Sequence, residues 1–364
     1  MIILGIESSC DETAAAIIEA KGTRIRVLSS VVSSQIETFK GYGGVIPEVA
    51  ARKHILMIIP VIDETLKKSG IILPSPRRKE SGRAGAGLDA IAVTAGPGLA
   101  TSLMVGVETA KALAFAWQLP LIAVNHIEGH IYANWLEPAG AAGNSLAKQT
   151  KTSLQFPALV LTVSGGHTML VLMTDYGKYK TIGETRDDAA GEAFDKAARI
   201  LGLGYPGGPA IAAEAAKFSN HQSQITLPRP MINSGNYEFS FSGLKTALLY
   251  KVQKDQNWKK HIPEYAAEFQ QAIIDVLIAK TLKAADEYKV KTIMLSGGVS
   301  ANKELRQKMD EAIKNKIPNS KFQIPNSIYS TDNAAMIAAA GYFQSKGRGF
   351  SKPEKVIADP GLRL

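Results

Sequence analysis

The sequence contains the same short series of elements twice, and this repeat limits the folds that the chain can adopt. Each half offers a hairpin with a polar or glycine-rich turn, followed by a strand, a glycine turn and a helix. The matching stretches are 2–18 and 89–117 in the first half, and 157–173 and 290–302 in the second. Any α/β chain can place glycine turns after strands. Matched turns in both halves nevertheless predict two similar α/β lobes that face each other across a cleft lined by turns.

The segment 47–68 is predicted to form a helix that begins at Pro47. Proline suits the first turn of a helix, because the backbone N–H that it lacks would have no partner there. The apolar stripe of this helix consists of Ile55, Ile58, Ile59 and Ile62. A stripe at this spacing is, by itself, expected to face the protein core. His54 on the same helix is expected to be structural or exposed.

Two long polar connections are expected outside the regular elements. Residues 74–87 are rich in proline, glycine and basic side chains and are expected to be mobile. Residues 137–156 are rich in alanine, glycine and serine and form the best internal boundary. The other predicted elements are a strand at 27–32 and helices near 191–201, 263–288 and 334–345.

Length, charge and cysteine content indicate the class of protein. A chain of 364 residues suits two domains or one large bilobal domain. The net charge of +9 favours a polyanionic partner, with nucleic acid as the first candidate, although a basic surface without a partner fits the same number. Cys10 is the single cysteine, which excludes an internal disulfide and fits a reducing compartment. Neither a signal peptide nor a membrane span is expected, so the predicted location is cytoplasmic.

Two of the six histidines, His126 and His130, lie four residues apart and directly follow the strand-like run 121–124. Residues i and i+4 share one face of a helix, so both imidazoles can reach one metal ion. The spacing matches that of the zinc-peptidase signature His-Glu-x-x-His, but Glu128 lies between the histidines instead of beside the first. The general base of a peptidase would therefore be displaced. Two ordinary polar residues near a helix start would give the same spacing.

Two further turns precede predicted helices. The turn 95–98, Ala-Gly-Pro-Gly, follows a strand, and its free N–H groups and the helix dipole suit an anion, although many glycine turns bind nothing. Near the end of the sequence, Thr331 or Asp332 is expected to cap the helix that begins at Ala334.

Taken together, these motifs resemble those of the tRNA N6-adenosine threonylcarbamoyltransferase family in its bacterial form. The matching stretches, in chain order, are Gly5–Thr13, Ala95–Gly98, His126–His130, Ser164–Thr168, Gly191–Lys196, Tyr205–Pro209, Phe239–Thr246, Ser296–Asn302 and Ser330–Asn333. They span nearly the whole chain. The connections 74–87 and 137–156 depart from the family pattern but lie outside the motifs, so they bear on partner contacts more than on chemistry.

The resemblance implies an α/β fold of the actin-like ATPase type, with two ribonuclease-H-like lobes and a cleft between them. The first lobe is expected at residues 1–156 and the second at 157–332. A C-terminal helical segment at about 333–364 is expected to pack back on the first lobe.

The resemblance also implies that His126, His130 and Asp332 bind one metal ion, with iron expected and zinc as the alternative. Two imidazoles and one carboxylate leave coordination positions open for a ligand. A role for Asp332 as a helix cap only is the alternative at that position.

A nucleotide pocket is implied as well. Its expected residues are Thr162, Val163, Ser164, Gly165, Gly166, Asp195, Gly208 and Asn302. It would hold threonylcarbamoyl-AMP or ATP, ADP or AMP, and its glycines let backbone N–H groups approach phosphate and base. Asp195 is expected to accept a hydrogen bond from a ribose hydroxyl, although an aspartate on a helix is often simply solvated.

The implied reaction moves the threonylcarbamoyl group from threonylcarbamoyl-AMP to the N6 amine of adenosine 37, in tRNAs that read codons beginning with A. That amine is a weak nucleophile, so the protein must orient the reactants, polarise the carbonyl and remove a proton. Asp11 and Glu12, at the tip of the first hairpin, are the expected catalytic acids. One is expected to face the acyl-adenylate and the other the adenosine, with a raised pKa. Solvated turn residues are the alternative, and Cys10 is not expected to act as a nucleophile.

The implied partners are tRNA, a smaller paralogue of the same fold, a small P-loop ATPase and a separate synthase that makes threonylcarbamoyl-AMP. The chain alone is expected to be nearly inactive, and the 47–68 helix is the candidate pairing surface. Two other functions fit parts of the sequence. A metal-dependent peptidase is supported only by the histidine pair. A non-catalytic nucleotide-binding scaffold or a small-molecule kinase fits the fold, but phosphoryl transfer needs Mg²⁺ and a carboxylate base and not two imidazoles.

Overall fold

The computed structural model describes residues 1–71, 87–138, 154–218 and 223–364. Residues 74–86, which are expected to be mobile, therefore lie outside the described residues, as does most of the connection 137–156. The chain divides into two compact units. The lobe bounds expected from the sequence, 1–156 and 157–332, stay a prediction. The first unit consists of Met1–Glu37, Val45–Leu154 and Pro325–Leu364, and the second of Thr38–Gly44 and Gln155–Ile324.

Within the described ranges, each unit contains one sheet. The strands are β1 (Ile2–Glu7), β2 (Glu12–Lys21), β3 (Arg24–Ser34), β4 (Ala90–Gly96), β5 (Leu121–Asn125), β6 (Leu136–Glu137), β7 (Ala158–Val163), β8 (Thr168–Asp175), β9 (Lys178–Glu184), β10 (Thr292–Ser296) and β11 (Lys321–Gln323). The strand order is β5-β4-β1-β2-β3-β6 in one sheet and β11-β10-β7-β8-β9 in the other. In both sheets a three-stranded antiparallel meander, β1-β2-β3 or β7-β8-β9, pairs through its first strand with a parallel strand. The repeat predicted from the sequence is thus present in the strand topology.

The described ranges also contain α-helices, which are interspersed with the strands and are numbered here in chain order. They are α1 (Ile36–Lys40), α2 (Pro47–Ser69), α3 (Ala100–Trp117), α4 (His126–Tyr132), α5 (Ala190–Ile200), α6 (Gly207–Ala215), α7 (Ser242–Lys254), α8 (Ile262–Glu287), α9 (Lys303–Lys316) and α10 (Ala334–Gly347). None of them combines the length and the apolarity needed to cross a bilayer. In the second unit, the core forms where α5, α6, α7 and the long helix α8 cover the sheet.

Strand β1 is apolar and buried on both faces because the first sheet is covered by helices. Buried side chains of α2 and α3 pack with those of β1 and β4, and α10 also contacts β1. Gly5 permits this contact, since a Cβ at that position would lie 2.1 Å from the carbonyl oxygen of Ala334. The close approach brings the start of α10 next to the carboxyl end of β1.

The predicted helix at 47–68 is confirmed, but its apolar stripe is only partly buried. Ile58 and Ile62 are in the core, whereas Ile55 and Ile59 are 63% and 57% exposed. These two residues lie about 100° around the helix from the buried His54 and Ile58. The exposed part of the stripe is therefore available for another contact.

His54 on the same helix is buried and structural. Its Nδ1 lies 2.7 Å from the Thr13 hydroxyl, and its Nε2 lies 3.0 Å from the Cys10 carbonyl oxygen. Both ring nitrogens are thus satisfied, and the ring ties α2 to the turn between β1 and β2.

Candidate functional site

The two histidines are positioned by the direct connection from β5 into α4. Asn125 caps this helix, because its Oδ1 accepts hydrogen bonds from the N–H groups of Ile127 (2.8 Å) and Glu128 (3.4 Å). The helix therefore begins at His126, and His130 follows one turn later on the same face. The ring centroids are 4.7 Å apart in an edge arrangement.

Asp332, just before α10, reaches the same point. Its Oδ1 lies 3.6 Å from Nε2 of His126 and 3.2 Å from Nε2 of His130. One ligand atom from each residue lies within 4.8 Å of the others, a spacing that could hold a metal ion. The expectation that Thr331 or Asp332 caps α10 is wrong. Asn333 is the cap, because its side-chain Oδ1 accepts from the Met336 N–H at 3.0 Å, whereas the Asp332 carboxylate lies toward the histidines.

The chemistry of these three side chains fits a divalent metal. His130 is completely buried, and in the described part of the chain neither ring nitrogen makes a hydrogen bond, although Nε2 lies 3.2 Å from the Asp332 carboxylate. A buried polar atom without a partner is costly, and ligation of a cation would remove that cost. Two imidazoles and a carboxylate are ligands that first-row transition metals accept. The triad is therefore a candidate metal centre.

A buried carboxylate holds the first histidine in place. Nδ1 of His126 lies 3.2 Å from Glu7 Oε2 and 3.2 Å from the Ser9 hydroxyl. Glu7 has no exposed surface and also accepts from the Thr94 hydroxyl and the Ser9 N–H, both at 2.5 Å. A carboxylate on the far nitrogen orients the ring and makes it a better ligand. This role of Glu7 was not predicted from the sequence, where its place at the end of an apolar strand is the only local signal.

The charges of the site shift its pKa values in opposite directions. Burial would lower the pKa of His126, but the carboxylates of Asp332 and Glu7 outweigh burial and raise it to about 9. Burial would raise the pKa of Glu7, and the neighbouring His126 reverses this effect and holds it below its usual value. Without metal, His126 and Glu7 therefore form a buried ion pair.

Asp11 and Glu12 lie near the triad in the same unit. Asp11 is buried in the turn, where its carbonyl oxygen accepts from the Gln35 N–H at 3.1 Å, and Glu12 begins β2. The pKa of Glu12 is raised to about 10 by burial, by the carboxylates of Asp11 and Asp332, and by a hydrogen bond with Asp11. The expectation that the two acids face different ligands stays a prediction. They are hydrogen-bonded to each other, because a shared proton relieves the repulsion between two neighbouring carboxylates.

Cys10 lies beside these acids. Burial, followed by the carboxylates of Asp11, Asp332 and Glu12, raises the pKa of its thiol well above the usual value. The thiol is therefore protonated at neutral pH, which does not suit a nucleophile.

Two N–H groups at the glycine turn 95–98 are already engaged by the protein backbone. The N–H of Gly98 donates to the Pro360 carbonyl (3.3 Å), and that of Leu99 donates to the Ser9 carbonyl (2.8 Å). A Cβ at Gly98 would lie 2.5 Å from the same Ser9 oxygen. The glycine is thus required for the close approach of protein backbone, and not for an open anion site.

The residues expected in the nucleotide pocket belong to the second unit, and they differ in accessibility. Thr162 and Val163 are fully buried in β7, where the Thr162 hydroxyl bonds to that of Ser296 at 2.8 Å. They cannot present side chains to a ligand, since both faces of this strand are covered. The adjoining turn is different, because Cβ atoms added to Gly165 or Gly166 would meet nothing within 4 Å. Gly208, at the start of α6, also borders open space.

Two further polar residues of the expected pocket, Asp195 and Asn302, make bonds within the protein. One carboxylate oxygen of Asp195 accepts from the Gly207 N–H at 2.6 Å. Asn302 caps α9 by accepting from the Leu305 N–H at 3.0 Å, and its amide donates to Gln270 at 2.7 Å. Both the amide oxygen and the amide nitrogen of Asn302 are therefore hydrogen-bonded within the protein. The bond to Gln270 holds the turn before α9 against α8.

Comparison with known proteins identifies relatives of the whole chain. The family model described as tRNA N6-adenosine threonylcarbamoyltransferase matches residues 26–339. A protein of that name from Dehalococcoides mccartyi is 51% identical over 344 residues, which cover 94% of each chain. One from Geobacillus thermodenitrificans is 46% identical over 369 residues, covering 100% of this chain and 96% of its own.

Solved structures with little sequence similarity share the fold. The crystal structure of HypF from T. kodakarensis superposes with a TM-score of 0.58 at 13% identity and covers 98% of this chain. The chain spans 49% of the length of that protein. Full-length HypF in a phosphate- and nucleotide-bound form gives a TM-score of 0.54 at 12% identity, over 96% of this chain and 56% of its own. The predicted actin-like α/β fold is thereby confirmed.

Proposed function

The chain belongs to the tRNA N6-adenosine threonylcarbamoyltransferase family and forms N6-threonylcarbamoyladenosine in tRNA, and we propose that its donor is threonylcarbamoyl-AMP and its acceptor adenosine 37. In this reaction the N6 nitrogen bonds to the carbamoyl carbon, the bond from that carbon to the phosphate oxygen breaks, AMP leaves, and N6 loses one proton. The observation that best supports this chemistry is the triad of His126, His130 and Asp332, with two carboxyl groups beside it.

We assign the metal to this triad and propose that it is iron, with zinc as the alternative. Two histidines and one carboxylate are the ligand set of many non-haem iron sites, and they leave positions open for a ligand. When bound, the cation would supply Lewis acidity toward the carbamoyl carbonyl. Glu7 would keep the ring of His126 oriented from the opposite side.

The proton from N6 is proposed to pass to the carboxyl pair of Asp11 and Glu12. A pair that shares one proton retains one negative charge, and this charge can accept a proton from an attacking amine. The exposed Ser34 hydroxyl donates to Glu12 at 3.3 Å and helps to hold the pair in place. The pair is thus proposed as one unit and not as two independent acids.

The nucleotide part of the donor, or ATP, ADP or AMP, is proposed to lie against turns of the second unit. The turn Ser164–Gly166 and Gly208 offer backbone beside open space. Asp195 accepts from the Gly207 N–H at the start of α6, and we propose that its carboxylate also accepts from a ribose hydroxyl.

The alternative functions are not favoured. A peptidase would need Glu128 as a base at the metal, but Glu128 is buried and its Oε1 accepts from Arg348 at 3.2 Å. Burial raises the pKa of Glu128 even though Arg348 opposes this shift. A kinase or a non-catalytic scaffold of the same fold would leave the buried histidine pair unexplained.

We propose that the chain works in the cytoplasm with a smaller paralogue of the same fold and a small P-loop ATPase, and that a separate synthase supplies the adenylate. The exposed stripe of α2 supports the pairing proposal, because Ile55, Leu56 and Ile59 are 63%, 71% and 57% exposed. Adjacent exposed apolar residues of this kind mark contact sites more often than isolated ones do.

We expect the triple variant Ile55→Ser, Leu56→Ser and Ile59→Ser to lose pairing and at least about 10-fold in turnover, because the buried core of an interface carries most of its energy. Pairing is measured by sedimentation, and turnover with tRNA, the adenylate and all partners. The matched control is Leu249→Ser, Ile328→Ser and Ile357→Ser, which removes exposed apolar residues elsewhere. Unchanged pairing by the α2 variant, or robust turnover by the isolated chain, would contradict the proposal.

The function itself is tested in a bacterial strain depleted of its own enzyme. We expect digested tRNA from such cells to lack threonylcarbamoyladenosine by mass spectrometry, and expression of this chain with its partners to restore it. The variant with both His126 and His130 replaced by alanine should not restore it. Restoration by that variant would rule out the metal triad, and no restoration by the unaltered chain would rule out the proposed reaction.

A further inference from the structure

A cluster of unpaired lysines lies at the end of α7 and in the turn that follows. Lys251, Lys254, Lys259 and Lys260 are exposed, and none of them makes an ion pair with any described residue. Lysines near the ends of other helices are paired, as in Lys67 with Asp63 and Lys314 with Asp310. We refer to the four unpaired residues as the lysine surface.

The local sequence explains why these lysines have no partner. On a helix, a lysine is neutralised by an acid three or four residues earlier. The positions that precede Lys251 by this spacing are Ala247 and Leu248, and Lys254 is preceded by Tyr250 and Lys251. The helix C-terminus offers some stabilisation to positive charge, but it does not remove the repulsion between the lysines.

The one acid in this segment is already engaged. Between Lys251 and His261 the only carboxylate is that of Asp255. Its Oδ1 accepts from the Asn257 N–H at 2.8 Å, and its Oδ2 lies 2.7 Å from Nδ1 of His261. The charge of the lysine surface is therefore left for a partner that is itself anionic.

Two aromatic side chains lie among these lysines. Tyr250 is 58% exposed, and the half-buried ring of Trp258 packs on the core while Lys259 Nζ lies 5.9 Å from its centroid. Exposed rings between basic residues suit unpaired RNA bases, which stack on aromatic faces while lysines contact phosphates. An acidic protein surface would use the charges but not the rings in this way.

We propose that the lysine surface binds the sugar–phosphate backbone of the tRNA substrate, with Tyr250 and Trp258 against unpaired bases. The proposal rests on the action of this family on tRNA. Contacts to phosphate add affinity that does not depend on base sequence, and they release counterions from the RNA. The surface therefore contributes to holding tRNA and takes no part in the chemistry.

The test compares two quadruple variants of the full chain that change the charge equally. One replaces Lys251, Lys254, Lys259 and Lys260 by alanine. The control replaces Lys111, Lys178, Lys217 and Lys289 by alanine, each of which pairs with an acid three residues earlier. Binding of an unmodified tRNA transcript is measured by fluorescence anisotropy over a series of salt concentrations, and folding by circular dichroism.

We expect the lysine-surface variant to bind tRNA at least about 10-fold more weakly. The steepness of log K against log salt should fall by roughly three to four, a little under one for each of the four lost contacts. The control should keep both values. Equal slopes for the variant and the unaltered chain, no measurable binding by the unaltered chain, or weaker pairing with a protein partner alone would each overturn the proposal. If a protein binds tRNA normally but does not form threonylcarbamoyladenosine in cells, the proposed reaction fails and not the lysine-surface proposal.

Discussion

Replacing His126 and His130 together by alanine is expected to remove the bound metal completely while the chain stays folded. Two of three protein ligands are lost, and a single carboxylate does not hold a transition metal at micromolar concentration. His126 lies at the start of a short helix that Asn125 still caps, so the change should not unfold the first sheet. Metal content after dialysis, measured by mass spectrometry, checks this expectation.

A control variant is His261→Ala, which removes an exposed histidine that pairs with Asp255 far from the triad in sequence. It should keep the full metal content. Asp332→Asn preserves the shape of the third ligand and removes its charge, so it should weaken binding without abolishing it. Full metal content in the double histidine variant would show that the metal binds elsewhere.

The affinity for metal should also depend on pH in a defined direction. A protonated imidazole cannot ligate, and the pKa of His126 without metal is about 9, above its ordinary value. The proton must leave before the metal binds, so affinity should rise about 10-fold for each pH unit below that value and level off above it. Titration of the metal-free protein between pH 6 and pH 9 measures this slope. A flat profile would show that His126 is not a ligand.

The second large effect is expected at the carboxyl pair. Asp11→Ala or Glu12→Ala should lower turnover by roughly 100-fold or more, in the range that one general base contributes, while metal remains bound. The structure adds an expectation about the double variant. Since the two groups share a hydrogen bond, removing both should cost little more than removing one.

Turnover is measured in the reconstituted system, with metal content determined on the same samples. Glu19→Ala is the matched control, because Glu19 lies on the same strand but pairs with Arg26 at the surface. Near-normal turnover in both single variants would mean that the hairpin tip is structural. Additive losses in the double variant would mean that the two acids act separately.

Local sequence was sufficient for most elements that carry their own apolar pattern. The strand and helix at 89–117, with the following strand, were predicted within one or two residues of their observed bounds. Strand β9 was missed because it is a mostly polar edge strand, formed by pairing with β8 and not by burial of its own side chains. Helix α7 was also missed, although its motif was recognised.

The sequence by itself determined that His126 and His130 share one face of a helix, because that spacing depends only on local backbone geometry. The sequence could not decide whether Asp332 is a metal ligand or a helix cap. Asp332 was included in the predicted triad because of the family resemblance. Only the tertiary structure decided that the Asp332 carboxylate lies at the histidines, and that Glu7 holds His126. Both depend on how closely α10 packs on β1 at Gly5, a contact between distant segments that no local pattern encodes.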